Sequence, residues 1–273
     1  MRHLFIDFET YSETDIKSAG NYKYCEDENF EILLCGYMWD TDTDVTIIDL
    51  TKPGGLTEFY DLFEYVKNNE DVVIVCHNAT FERICLREYG FDISPMRFFC
   101  TANMSLYCGM PASLEEVSNI LNLDDKKKGT GKNLIRYFSI PCKPTKTNGE
   151  RTRNLPEHAP EDWEEFIDYL RYDVLSEKEI FGKLSRFEFP EEEQRIYAAD
   201  QRINDYGILA DLELAHAAQD MDEEYKARLT EKAEKDFGLS SLKSMPQLKG
   251  FIKERTGVVI DSLDKTNIEG VIK

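Results

Sequence analysis

The chain has 273 residues, 41% of them apolar and 12% aromatic, enough for one large domain or a domain with an appendage. No apolar run approaches the length of a membrane span and no signal-like segment follows Met1, so a soluble, intracellular protein is expected, with no membrane partner. The net charge of −20 argues against a nucleic-acid partner for the chain as a whole, yet residues 126–153 carry nine basic side chains and one acidic, against 8 and 24 in residues 1–125. That block is either a solvated loop balancing its surroundings or a surface for phosphates. The seven cysteines form no CxxC pair, and several stand in apolar runs, which predicts reduced, buried thiols rather than zinc.

His3 to Thr10 reads as a buried strand, followed by a polar, irregular stretch over 11–29. Strands are expected over 30–39 and 44–50, joined by an acidic turn, then a helix over 56–67 after the Pro53-Gly54-Gly55 break. Asp71 to Cys76 is a near-continuous apolar run, suited to a central strand. His77 to Thr80 then reads as a loop feeding a helix with Glu82 in its first turn, His77 being a cap to the strand rather than a ligand. A short strand at 97–100 and helices near 101–108, 113–122 and 132–138 follow, and Pro141 and Pro144 open a long polar connection. Pro160 opens a long helix at a position where its missing N–H costs little, with one apolar face running to about Arg186. From Pro190 onward the pattern turns wholly helical, with helices near 190–205 and 211–237, the second ended by Gly238. The reading divides the chain into 1–187 and a smaller helical region over 188–273. Residues 263–273 read as a helix that stops without a cap, as in a chain cut short.

Asp7 and Glu9 stand i, i+2 on the first strand and so project from one side of it. Two carboxylates beside Leu, Phe and Ile are costly unless a cation neutralises them, and a hard divalent ion bound through oxygen answers that cost. The plain alternative is a solvated strand end. On the late helix, Tyr169 and Asp173 share a face at i, i+4, a spacing that is weak evidence alone. Gly129-Thr130-Gly131-Lys132 is too short for a P-loop and lacks the following Ser or Thr.

Together, Asp7-x-Glu9, Asn78-x-x-Phe81-Glu82 and Tyr169-x-x-x-Asp173 resemble the three-motif signature of 3′→5′ exonucleases that use four acids and a tyrosine. Residues 3–187 are similar to the proofreading exonuclease domain of phage-type family A DNA polymerases, also in Asp7 to Ser12, His77-Asn78-Ala79 and Gly131 with Leu134-Ile135. Asp200 to Gly207 resembles the start of the polymerase portion. The resemblance implies an RNase H-like α/β fold, a mixed central sheet with helices on both faces, and two divalent ions, Mg²⁺ or Mn²⁺. It assigns Asp7 to both ions, Glu9 and Asp173 to the first, Glu82 to the second through water, and Tyr169 to aiming the attacking water. The family commonly has Asp where Glu82 stands, which makes the second ion's site the less regular one.

The expected partner is a single-stranded DNA 3′ end in a bacterial or phage-infected cytoplasm. Thr10, Asn78, Phe81, Lys128, Lys132, Arg151 and Arg153 are candidate contacts to it, and a polymerase portion beyond this chain is a possible further partner. No palm or fingers motif is present, so no polymerase activity is expected. An RNA-trimming exonuclease on the same scaffold and a non-catalytic single-strand clamp are the rival readings.

Overall fold

The computed structural model describes residues 1–123 and 131–264. Lys126, Lys127, Lys128 and the expected helix from residue 265 onward lie outside the described residues. A five-stranded mixed sheet carries the architecture, built from β1 (Arg2–Tyr11), β2 (Glu31–Trp39), β3 (Thr46–Asp49), β4 (Val72–Cys76) and β5 (Phe98–Cys100) in the order β3-β2-β1-β4-β5. β1 is central: it pairs antiparallel with β2 and parallel with β4, and β4 pairs parallel with β5.

Alternation along β1 sorts its side chains onto two faces. Leu4, Ile6 and Phe8 join one core with Phe59 and Phe63 of α2 (Gly55–Asn68) and Ile84 and Cys85 of α3 (Thr80–Glu88). Phe5 and Tyr11 join a second core with Leu134 and Phe138 of α6 (Gly131–Phe138) and Phe166, Leu170 and Val174 of α7 (Pro160–Leu184). A third cluster sets Met104 of α4 (Thr101–Tyr107) and Val117 of α5 (Leu114–Ile120) against Ile180 and Leu184 of α7. Each fully buried Phe or Leu is worth about 1.5–3 kcal/mol relative to exposure. The described chain is thus α/β with helices on both faces of a mixed sheet.

The polar stretch after β1 differs from its expectation: it holds α1 (Ile16–Cys25), kinked at Gly20. Asp15 caps it by accepting from the Lys17 N–H, and its last turn buries Tyr24 and Cys25. Its other core contacts, Ile16 and Tyr22, are only partly buried, so α1 carries few apolar residues.

The first compact unit runs from Met1 to Tyr206, past the expected boundary at 187/188. It includes α8 (Glu191–Tyr206), whose Gln194 donates to the Phe98 carbonyl (2.6 Å) and whose Tyr197 and Ala198 are buried. The second unit, from Gly207, holds α9 (Leu212–Phe237) and α10 (Met245–Thr256). Asp211 caps α9 through the Leu214 N–H at 2.9 Å, and Gly238 ends it in the left-handed region at φ 69°. Phe237 meets Phe251 with ring centroids 5.4 Å apart. α10 lies where the sequence carried no helix expectation; its start has Pro246 in the first turn and Gly257 closes it at φ 76°. No described helix is long and apolar enough to cross a membrane.

Candidate metal centre

Three elements deliver carboxylates to the C-terminal end of β1. Asp7 and Glu9 come from the strand itself, on the face covered by α7. Asp173 comes from α7, which approaches the sheet closely because Gly36, the β2 partner of Asp7, has no side chain. A Cβ at Gly36 would stand 2.9 Å from Leu170 Cγ and 3.0 Å from Val174 Cγ2. The ligand oxygens of Asp7, Glu9 and Asp173 consequently lie within 4.8 Å of one another, with Glu9 and Asp173 buried. That separation suits carboxylate oxygens sharing one hard cation, whose bonds to oxygen run to about 2.0–2.6 Å.

Tyr169 lies one turn before Asp173 and is buried beside it. Burial, the charges of Asp173, Glu9 and Asp7, and a hydrogen bond to the Asp173 carboxylate all push its phenol pKa upward. The phenol therefore keeps its proton at neutral pH and acts as a donor. Its ring is held by Gly131: a Cβ there would fall 2.0 Å from Tyr169 Cε2. The glycine at the start of α6 thus leaves the space the tyrosine occupies.

Glu82 reaches the same end of the sheet by another route. β4 ends at Cys76, Asn78 takes a left-handed conformation at φ 74°, and α3 begins at Thr80 with Glu82 in its first turn. Glu82 is buried, and its Oε2 has no hydrogen-bond partner among the described residues. Burial first, then the charge of Asp7, raises its pKa well above the ordinary 4.5. Glu82 stands outside the group formed by Asp7, Glu9 and Asp173. Its buried oxygen is thus left bare while the Asp7 charge acts on the carboxyl.

His77 is fully engaged: Nδ1 meets Thr101 Oγ1 at 3.0 Å and Nε2 meets the Ala112 carbonyl at 2.7 Å. It fastens the end of β4 and has no ring nitrogen left for a metal.

Of the candidate nucleic-acid contacts, Thr10 is buried with its hydroxyl 2.7 Å from Tyr24 OH, and Phe81 packs half-buried against the Tyr24 ring at 5.9 Å between centroids. Asn78 is exposed at the loop before α3. Lys132 is exposed and lines a cavity of about 550 Å³ with Ser12, Glu13, Tyr24 and Arg136, just beyond the carboxylates along the chain. Arg151 and Arg153 both make internal contacts. Arg151 donates to Asn154 Oδ1 at 2.9 Å, while Arg153 pairs with Glu31 at 2.5 Å and lies 3.9 Å over the Tyr11 ring. Lys128 lies outside the described residues. A second cavity, of about 690 Å³, is lined by Arg2, Trp39 and Tyr65 at the opposite end of β1, far from the acids.

One buried acid at this end of the sheet had no place in the sequence reading. Glu177, one turn after Asp173 on α7, is 1% exposed and feels the charges of Asp7 and Glu82. The signal that would have found it is the file Tyr169, Asp173, Glu177, spaced i, i+4, i+8 along one helix face.

No family model matches the chain. Over its whole length it is 42% identical to a protein named DNA polymerase from Bacillus phage SP02, of which it spans 42%. The chain is thus related to a phage DNA polymerase and corresponds to less than half the length of that relative.

Proposed function

We propose that this chain is a metal-dependent 3′→5′ exonuclease of RNase H-like fold, the proofreading part of a family A-type phage DNA polymerase. It would release nucleoside monophosphates from single-stranded or frayed DNA 3′ ends. The observation that carries this reading is the convergence of Asp7, Glu9 and Asp173 within 4.8 Å, beside a protonated Tyr169. Kinship with a phage DNA polymerase supports DNA as the substrate.

Two divalent ions, Mg²⁺ or Mn²⁺, would supply the activation of water and the charge neutralisation that phosphodiester hydrolysis requires. Asp7, Glu9 and Asp173 would hold the first, and Asp7 with Glu82, the latter through water, would serve the second. Tyr169, hydrogen-bonded to Asp173 and unable to ionise near neutrality, orients the attacking water rather than taking its proton. Thr10, Asn78 and Phe81 are the contacts this reading assigns to the terminal nucleotide, and the cavity edged by Lys132 and Arg136 suits the phosphates behind it. A pure strand clamp gains nothing from buried carboxylates, which repel phosphate, so catalysis accounts for the cluster better than binding alone.

The test is a 5′-labelled single-stranded DNA incubated with the protein and Mg²⁺ or Mn²⁺. A ladder shortening from the 3′ end is expected, with an RNA strand of the same sequence cut more slowly. Intact DNA in both metals would overturn the reading. Primer extension with dNTPs should show no incorporation by these residues.

A further inference from the structure

α7 presents a second buried acid to the same end of the sheet. Glu177 is 1% exposed, deeper than Asp173 at 7% and Glu82 at 3%. One of its oxygens accepts from the His77 backbone N–H, while Oε1 has no hydrogen-bond partner among the described residues. No described basic side chain pairs with Glu177 or Glu82, although Asp7 and Glu82 both act on Glu177 electrostatically. Two buried carboxylates on different elements, α3 and α7, thus each keep a bare oxygen and each feel the charge of Asp7. Leaving a buried polar atom without a partner is costly, and more so when it is charged. Such a cost persists where something absent from the protein itself completes the site.

We propose that Glu177 is a fifth carboxylate of the metal centre, acting with Glu82 on the second divalent ion through its water shell. This rests on the exonuclease reading above. Neither Glu82 nor Glu177 belongs to the tight group around Asp7, so both would serve a second ion through its water shell rather than directly. Glu177 is a positioning residue in this scheme. It holds the ion's water, and the His77 N–H fixes its direction from the loop that also leads to Glu82. Its i+4 spacing from Asp173 couples the two ion sites through a single rigid helix.

The test is a Mn²⁺ titration of the whole chain, with free Mn²⁺ read by electron paramagnetic resonance, on wild type, Glu177→Gln and Glu177→Asp. Wild type should take up two ions. Glu177→Gln should keep the first and bind the second about 10- to 100-fold more weakly, the usual loss when an outer partner of a metal is removed. Glu177→Asp keeps the charge and should fall between the two; it carries the test if the Gln variant does not fold. Two ions bound by Glu177→Gln with wild-type affinities would overturn this proposal and mark Glu177 as a neutral structural acid. Wild type binding no Mn²⁺ would overturn the exonuclease reading as well, so the two failures are distinct.

Discussion

Glu82 and Arg83 are neighbours on one helix, both buried, both 3% exposed, and their surroundings are opposite. Arg83 is saturated. Its Nε donates to Gln201 Oε1 at 3.1 Å, and Nη1 and Nη2 grip the two Asp205 oxygens at 2.9 and 2.7 Å. Arg87 and the Tyr22 hydroxyl also donate to Asp205, each at 2.9 Å. Partial burial works to raise the Asp205 carboxyl, and the hydrogen bonds from Arg83 and Tyr22 outweigh it, holding it below its ordinary range. Glu82, the residue before it, has one bare oxygen, the like charge of Asp7 and no donor beyond its own backbone N–H to offset its burial. A buried charge given every partner ties elements together; a buried charge left without them points to something the chain must recruit. The saturated side fastens α3 to α8 and so fixes where the unsaturated side looks.

The comparison breaks most sharply at Asp7. Asp7→Ala should lower DNA cleavage by about 10³-fold or more, on the scale of removing a principal electrostatic group. Circular dichroism should stay native, because the substitution relieves repulsion among the carboxylates gathered there. On the saturated side, Asp205→Ala leaves Arg83 buried and unpaired. It should destabilise the first unit by about 3 kcal/mol in urea unfolding, toward the lower end for a buried pair because Asp205 is 27% exposed. Mn²⁺ uptake by the folded fraction should not change.

Gly131→Ala sharpens the contrast from the tyrosine's side. Its new methyl would meet the Tyr169 ring at 2.0 Å, so ring or helix must move. A displacement near 1 Å costs about 10²-fold in rate, and steady-state kinetics should place that loss in kcat rather than KM. The smallest effect is on pH. In the metal-free protein, burial holds Glu82 and Glu177 protonated to higher pH than in the unfolded chain. The folded state therefore binds more protons, and the stability these groups contribute is full below the ordinary 4.5 and is lost as pH rises toward their folded values. Thermal melts without metal should fall by a few degrees between pH 5 and 8, and millimolar Mg²⁺ should flatten that slope.

The strands and the long helix were legible because their apolar residues repeat at the right period: β1, β4 and α7 follow their expected spans closely. The acids were legible as a set of spacings, since Asp7 with Glu9 and Tyr169 with Asp173 each share a face whatever surrounds them. α1 was not, because its apolar residues gather in the last turn and Gly20 interrupts it. Gly36 was not either, and Gly131 stood out only through the resemblance, since the importance of both comes from close approach to α7, a tertiary fact that local pattern does not carry. Glu177 was hidden among the acids of an acid-rich helix, where an i+4 carboxylate reads as solvated face. The basic block carries contacts that a run of charge does not reveal: Arg151 bonds to Asn154 within the 142–160 connection, and Arg153 reaches Glu31 and the Tyr11 ring.

The most direct measurement is an anomalous difference map from crystals of the protein soaked in Mn²⁺. The account predicts a strong peak among the oxygens of Asp7, Glu9 and Asp173, and a second, weaker one on the side of Asp7 facing Glu82 and Glu177. No peak at Asp7 in crystals that take up Mn²⁺ elsewhere would contradict it.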